Sequence, residues 1–205
     1  MKHKKIYICG PSGVGKTTLA RYIESRYNIP FISTSGKVLW REYGISSHKE
    51  LLDRSTSDHK FAVNYQFELL KHRTESLRGK ESFVTDRSPI DNLVYFMLEA
   101  SKNASLMESA DYVNQCRSAL IGGDLLINIK FNEEIQIEDD GARIINPLFQ
   151  YAVEGIFDKV FKEQLLDDKY VIDKMEIDYW DWETRKKYVH KAIMGKTGFW
   201  SVFGL

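Results

Sequence analysis

The sequence predicts a three-layer α/β fold, in which helices cover both faces of a five-stranded parallel sheet. Short apolar runs rich in β-branched residues alternate along the chain with longer helical patterns, an order typical of parallel sheets with crossover helices. A glycine-rich segment, Gly10 to Thr17, directly follows the first of these runs and opens the first helical pattern. Because 205 residues are enough to bury one sizeable core, we expect a single domain over residues 1–205.

The predicted elements follow one another in a regular order. Phe61, Tyr65 and Leu69 recur at four-residue spacing, which marks one face of a helix. The predicted strands are Ile6–Cys9, Pro30–Ser33, Phe83–Thr85, Asp124–Phe131 and Tyr170–Ile172. The predicted helices are Thr17–Tyr27, Phe61–Leu77, Ile90–Ala100 with Pro89 in its first turn, Leu106–Ile121, Pro147–Leu166 and Trp182–Met194. Numbered along the chain, the strands are expected in the order 2-3-1-4-5.

Composition excludes several classes of protein. Hydrophobic residues make up 43% of the chain and charged residues 28%, which argues against disorder. The longest apolar run, Leu93–Leu98, is too short to cross a bilayer. The 29 basic residues balance the 29 acidic ones, and this balance argues against a protein that grips long nucleic acids. The two cysteines have no ligand spacing and fit a reducing compartment, so we expect a cytoplasmic protein.

The strongest motif is the segment GPSGVGKT at Gly10–Thr17, which matches G-x-x-x-x-G-K-[ST]. Glycines allow backbone N–H groups to turn towards phosphate oxygens at a helix N-terminus. Lys16 is expected to bind the outer phosphates of ATP, and the Thr17 hydroxyl is expected to bind Mg²⁺. The predicted nucleotide-binding residues are Gly10, Ser12, Gly13, Val14, Gly15, Lys16, Thr17 and Thr18.

A second motif distinguishes between enzymes that share this loop. The GTPase strings N-K-x-D and D-x-x-G do not occur, whereas Phe83–Pro89 reads FVTDRSP. This segment resembles the D/E-R-[SYF] step of nucleoside and nucleotide kinases, the family of thymidylate kinase and the deoxynucleoside kinases. The resemblance implies that Asp86 lies near the attacking oxygen, as a general base or through Mg²⁺, and that Arg87 holds an acceptor phosphate or 5′ oxygen. The alternative is a helix-capping Asp beside a surface Arg.

Two further stretches resemble acceptor sites of this family. Phe61–Gln66 looks like the F-x-x-x-x-Q segment of deoxynucleoside kinases, which implies that Gln66 contacts a base; the alternative is an exposed helix residue. Ser33–Arg41 looks like the adenylate kinase stretch S-T-G-x-x-L-R with two extra residues, which implies that Arg41 binds an acceptor phosphate. The neighbouring Trp40 is expected to pack in the core or to stack on a base.

The acidic segment after the fourth predicted strand resembles a lid. Residues 138–143 read EDDGAR and look like the D-D-G-x-R lid of nicotinamide riboside kinase domains and phage nucleotide kinases. The resemblance implies that Arg143, in a lid of about residues 133–146, neutralises charge on the transferring phosphoryl group. The alternative of a metal site is weaker, because the acids lack the spacing of a Ca²⁺ loop.

The motifs together predict an ATP- and Mg²⁺-dependent kinase for a nucleoside-type acceptor, with a deoxynucleoside monophosphate as first choice. The chain lacks the R-E-P-G-x-T segment of thymidylate kinase, which weakens thymidylate itself as the substrate. A deoxynucleoside or nicotinamide riboside remains open, as does a modified base in DNA, which the basic stretch Arg185–Lys191 would favour. A nucleotide-binding regulator without transfer activity is a further alternative. The aromatic tail at Gly198–Phe203 is expected to dock on the domain or on a second copy in a homodimer.

Overall fold

The structure, a computed structural model, describes residues 2–132, 146–162, 172–178 and 181–195. The strands are β1 (Lys5–Cys9), β2 (Phe83–Thr85), β3 (Leu125–Ile129) and β4 (Asp173–Ile177). The helices are α1 (Lys16–Tyr27), α2 (Lys37–Glu42), α3 (His48–Ser57), α4 (His59–Leu77), α5 (Pro89–Glu99), α6 (Leu106–Leu120), α7 (Pro147–Lys162) and α8 (Trp182–Met194). The strands form one parallel sheet in the order β2-β1-β3-β4.

The sheet confirms the predicted order but has four strands instead of five. The predicted strand Pro30–Ser33 is reduced to a single parallel bridge between Phe31 and Val84. The amide of Ile32 donates to the Val84 carbonyl at 2.9 Å, and the Val84 amide donates to the Pro30 carbonyl at 2.9 Å. Pro30 has no N–H of its own, so this segment cannot extend the ladder in the N-terminal direction. It lies at the outer edge of β2, where the predicted order placed it.

The position of the last strand was predicted wrongly. Ile172 lies before the strand, and Asp173 begins β4 instead of ending it. Within β4 only Met175 and Ile177 are buried, while Asp173 is exposed. The reason is that β4 is an edge strand with β3 as its partner, so its sequence alternates in polarity instead of forming the apolar run that the prediction relied on.

Helices cover both faces of the sheet, as predicted. Alternate residues of a strand point to opposite faces, and β1 shows this directly. Ile6 and Ile8 pack in a core cluster with residues of α1 and α8, while Tyr7 and Cys9 pack in another cluster with residues of α4, α5, α6 and α7. β3 is buried along its whole length, which is expected for a central parallel strand. Cys9 is a free, buried thiol, in keeping with a small core residue.

The segment between the predicted strand Pro30–Ser33 and the predicted helix Phe61–Leu77 contains two helices, α2 and α3, that were not predicted. α2 and α3 bury Leu39 and Leu51 in a small cluster with Phe61, Tyr65 and Leu69 of α4. The predicted helices correspond to α1, α4, α5, α6, α7 and α8 with starts and ends within two residues, apart from the predicted end of α7, which lies outside the described residues. Among the described helices, none combines the length and apolar character that a bilayer-spanning segment needs.

Candidate active site

The predicted phosphate-binding loop connects β1 to α1 at the carboxyl end of the sheet. Three glycines of the loop have positive φ angles: 133° at Gly10, 85° at Gly13 and 88° at Gly15. Residues with a Cβ atom rarely adopt this region. A Cβ atom on Gly10 would lie 2.2 Å from the carbonyl oxygen of Ile129, the last residue of β3. Glycine is therefore required at this position, because the loop passes directly against the neighbouring strand.

Lys16 is the only cationic side chain of the loop motif, and its ammonium group lies over the loop itself. The side chain is buried, and its Nζ donates hydrogen bonds to the carbonyl oxygens of Gly10, at 2.6 Å, and Pro11. Burial, together with the nearby charge of Arg87, lowers the pKa of Lys16 to about 7. No described carboxylate accepts a hydrogen bond from this buried ammonium, which is therefore well suited to bind an anionic oxygen that supplies the negative charge.

Thr17 and Asp86 meet because β2 pairs with β1 in parallel, so their carboxyl ends lie side by side. The Thr17 hydroxyl donates to Asp86 Oδ2 at 2.6 Å. Asp86 is 7% exposed, and its other oxygen, Oδ1, accepts no hydrogen bond from any described residue. A hydroxyl oxygen and a carboxylate at this separation offer the hard oxygen ligands that Mg²⁺ prefers. The residues present therefore fit a Mg²⁺ site completed by phosphate and water.

Arg87 is held by a residue that the sequence analysis did not single out. Its Nη1 donates to Asp91 Oδ1 at 3.2 Å, while Asp91 Oδ2 accepts hydrogen bonds from the amide and the hydroxyl of Ser88. Ser88 and Asp91 form a capping box at the start of α5, with Pro89 in the first turn. Although burial acts to lower it, Asp91 keeps the pKa of Arg87 above its usual value. The start of α5 thus fixes where this guanidinium points.

A second buried guanidinium, that of Arg73, lies in the same region. Its Nε donates to the Thr34 carbonyl at 2.9 Å and its Nη1 to Asn92 Oδ1 at 2.7 Å. Both partners are neutral oxygens. Burial and the nearby charge of Arg87 lower the pKa of Arg73. The pair of arginines provides positive charge that an anionic ligand would neutralise.

These groups line one cavity of about 620 Å³. Lys16, Thr17, Asp86 and Arg87 lie at its phosphate-binding end, and Glu99, at the other end of α5, also lines it. The step from Pro89 to Glu99 corresponds to about 15 Å along the helix, at 1.5 Å per residue. The cavity is therefore large enough, and long enough along α5, for a small two-part ligand.

Gln66 lies at the Glu99 end of the cavity. It is 1% exposed, and its Nε2 donates to Glu99 Oε2 at 2.6 Å. Its backbone carbonyl accepts a hydrogen bond from the buried Tyr112 hydroxyl at 3.2 Å. The alternative of an exposed helix residue is therefore wrong, because α4 is enclosed by α5 and α6 on this side. Gln66 is available to a ligand only from within the cavity.

Arg41, a predicted ligand of the acceptor phosphate, is not brought to the cavity. Arg41 is exposed and is not among the lining residues, whereas Trp40 lines the cavity and packs against the α2–α4 cluster. The reason is that α2 buries Leu39, and a residue two positions further lies about 200° around the helix, on the opposite side. Arg143, most of the predicted lid and the tail lie outside the described residues.

A residue from α8 contacts the phosphate-binding loop. Arg185 is buried, and its Nη1 donates to the Val14 carbonyl at 2.8 Å. It shares the buried face of α8 with Val189 and Ile193, at a spacing of four residues. The sequence analysis had grouped Arg185 with a basic stretch available to DNA, and this grouping was wrong because Arg185 is buried. Lys187 and Lys191 are exposed. Because Arg185 is buried, the stretch presents less positive charge to solvent than its sequence indicates.

We expect Arg185→Met to raise the KM for ATP about tenfold, with a smaller effect on kcat. The substitution leaves the Val14 carbonyl without its charged donor, and a lost hydrogen bond to a charged group is worth about 1.5–3 kcal/mol. Steady-state kinetics with varied ATP tests this. Arg185→Lys, which keeps a donor, should retain most of the affinity, and Lys187→Met is the matched control on the exposed side of α8. An unchanged KM in Arg185→Met would show that the contact does not support nucleotide binding.

Comparison with known proteins places this geometry in a family. A family model described as an AAA domain matches residues 5–154, which include the phosphate-binding loop, Asp86 and the cavity. The chain belongs to this AAA domain family. No curated protein matches the chain by sequence. The match covers β1 through the first part of α7, so every residue that lines the cavity lies within it, while Arg185 on α8 lies outside.

Solved structures identify the fold more closely. Deoxyadenosine kinase from M. mycoides, with products dCMP and dCDP, is similar at a TM-score of 0.63 with 14% identity, over 94% of this chain and 100% of that one. NadR in complex with NR is similar at 0.64 with 16% identity, over 99% of this chain and 54% of that one. Shikimate kinase from Acinetobacter baumannii is similar at 0.55 with 14% identity, over 95% and 94%. This AAA domain protein therefore has the fold of the P-loop nucleoside and small-metabolite kinases, as predicted.

Proposed function

We propose that this protein is an ATP-dependent kinase that transfers the γ-phosphoryl group to a nucleoside-type acceptor, with a deoxynucleoside monophosphate as first choice. The observation that carries the proposal is a shared cavity in which a P-loop lysine, the Thr17–Asp86 pair and Arg87 lie at one end and the Gln66–Glu99 pair at the other. The kinases among the similar structures, one of them solved with the products dCMP and dCDP, support it.

The chain's own residues supply positioning and charge neutralisation, which phosphoryl transfer chiefly requires. Lys16 binds the outer phosphates of ATP, and Thr17 and Asp86 hold Mg²⁺, which when bound neutralises charge on those phosphates. The bond from the γ-phosphorus to the bridging oxygen breaks, and a bond to an acceptor oxygen forms. Where the acceptor is a hydroxyl, its proton passes to Asp86 Oδ1; where the acceptor is a phosphate, its oxygen is already ionised and no proton needs to move.

Two observations favour an acceptor that carries a phosphate. Arg73 and Arg87 both line the cavity, and only Arg87 pairs with a carboxylate within the described residues. The remaining charge of Arg73 is buried, and an anionic group beside it would offset the cost of that burial. A bidentate guanidinium is the side chain best matched to a phosphate group. A deoxynucleoside or nicotinamide riboside is the second candidate, which the unpaired Asp86 Oδ1 favours because it can accept a hydroxyl proton.

A single-turnover assay with γ-labelled ATP and Mg²⁺ tests the proposal. The acceptors are the deoxynucleoside monophosphates, the corresponding deoxynucleosides, nicotinamide riboside and a duplex DNA with a hydroxymethylated base. We expect label on at least one monophosphate, and none when Mg²⁺ is removed with EDTA. Label on a nucleoside alone would replace the first choice with the second. Absence of label on every acceptor, with ATP still bound, would contradict the kinase assignment and favour a regulatory nucleotide-binding protein.

A further inference from the structure

The hydrogen bond between Gln66 and Glu99 determines what the far end of the cavity offers to a ligand. A glutamine amide has one face that donates and one that accepts. Here Nε2 donates to Glu99 Oε2 at 2.6 Å. The amide oxygen, Oε1, accepts no hydrogen bond from any described residue although the side chain is almost fully buried. A buried acceptor of this kind costs free energy until a ligand donates to it.

The orientation of the amide is fixed by chemistry. A carboxylate accepts hydrogen bonds and cannot donate them, so rotation of the amide by 180° would place Oε1 against Glu99 Oε2, where the two oxygens repel. Gln66 on α4 and Glu99 at the end of α5 are both buried, and neither side chain can turn out to solvent. Glu99 therefore commits Gln66 to present an acceptor, and it adds a carboxylate beside that acceptor.

The surroundings of this pair suit a planar ring. Tyr65 and Trp40 line the same cavity. Aromatic faces stack on the ring of any nucleic-acid base. The Tyr65 hydroxyl can donate or accept, because a hydroxyl turns to suit its partner. Selection among ring edges thus depends on the Gln66–Glu99 pair, whose direction is fixed.

We infer that Glu99 is a specificity-determining residue that selects acceptors whose base edge carries an exocyclic amino group. The inference rests on the proposed function and names the substrate class within it. Cytosine, adenine and guanine each present an amino group, which donates to Gln66 Oε1 and to the carboxylate. Thymine and uracil present one N–H between two carbonyl oxygens, and at least one of these oxygens would face Gln66 Oε1 or Glu99. A site that hydrogen-bonds one edge rejects the edge that leaves its buried groups unpaired.

Glu99→Gln tests the inference with little change in volume. The neutral amide can donate as well as accept, so it releases Gln66 to turn. We measure dissociation constants by calorimetry for the deoxynucleoside monophosphates of cytosine, adenine, guanine, thymine and uracil. Wild type is expected to bind the best amino-bearing acceptor at least about tenfold more tightly than the thymine or uracil compound. Glu99→Gln is expected to reduce that ratio about tenfold. Glu75→Gln, on the exposed side of α4, should leave it unchanged.

The readout separates this inference from the proposed function. A wild-type preference for amino-bearing bases that Glu99→Gln removes, in a protein that transfers no phosphoryl group, would uphold the role of Glu99 and overturn the kinase assignment. Phosphoryl transfer to thymine and cytosine compounds with equal kcat/KM would overturn the role of Glu99 and leave the kinase assignment standing. Thermal unfolding of Glu99→Gln and, if it unfolds early, of Glu99→Asp ensures that binding is measured on folded protein; an unchanged ratio in a folded Glu99→Gln protein contradicts the inference.

Discussion

Lys16→Met is expected to lower single-turnover phosphoryl transfer about a thousandfold or more while the protein stays folded. The ammonium group is the P-loop cation, and preorganised charges at a phosphoryl group supply barrier lowering of this size. Stability should change little. Burial lowers the pKa of Lys16 to about 7, which means that the charged form is less favourable in the folded protein than in the unfolded chain. Removal of the charge therefore does not lower the free energy of unfolding. We expect a melting temperature within about 4 °C of wild type.

The matched control is Lys71→Met, at an exposed lysine on α4. It should transfer phosphate at the wild-type rate and melt at the same temperature. Labelled transfer in Lys16→Met at a rate close to wild type, with the fold intact, would remove the basis for assigning the loop to ATP.

Asp86→Asn is the second substitution for which we expect a large effect. The amide oxygen of asparagine can still accept the Thr17 hydrogen bond that Asp86 Oδ2 accepts at 2.6 Å, so the local structure should persist. The substitution removes the negative charge that would help to hold Mg²⁺ and, where the acceptor is a hydroxyl, the proton-accepting capacity of Oδ1. We expect kcat to fall about 10²- to 10⁴-fold, the KM for ATP to change only a few-fold, and the Mg²⁺ concentration for half-maximal rate to rise.

Asp111→Asn, at an exposed position of α6, serves as the control for removal of a carboxylate. If Asp86→Asn raised only the KM for ATP and left kcat unchanged, Asp86 would be a binding residue without a role in the chemical step. Measurement of the kcat of Asp86→Asn at increasing Mg²⁺ concentration separates a metal-holding role from proton transfer. If Asp86 only holds the metal, excess Mg²⁺ restores the rate.

Much of the fold follows from local sequence. Trp182–Met194 and β2 were both predicted to the residue. Asp181 and Gly195 cap the two ends of α8, and all three residues of β2 are buried. The edge strand β4 was misplaced, since only Met175 and Ile177 of its five residues are buried. α2 and α3 were missed for a related reason. Each is short and buries few side chains, against α4 instead of the sheet, so neither shows a strong helical pattern.

The site was predictable where a sequence motif itself indicates the role of its residues. The Thr17–Asp86 contact joins two motifs that the sequence analysis had already assigned. Glu99 was not singled out and the contacts of Arg73 and Arg185 were not predicted, because each acts through a partner elsewhere in the sequence: Glu99 through Gln66, Arg73 through Asn92 and Arg185 through Val14. Asp91 alone carried a local signal, since Ser88 three residues earlier is the pattern of a capping box.

α5 carries the carboxylate partner of Arg87 and the carboxylate partner of Gln66 on one continuous helix. Asp91, in its first turn, pairs with Arg87, and Glu99, in its last turn, pairs with Gln66. One inserted residue between them would rotate Glu99 by about 100° and displace it by 1.5 Å relative to Asp91, which breaks at least one of the two pairs. Exchange of the residue at position 99, by contrast, leaves the start of the helix untouched. The length of α5 therefore keeps the Arg87–Asp91 pair and the Gln66–Glu99 pair at a constant separation, whichever residue stands at position 99.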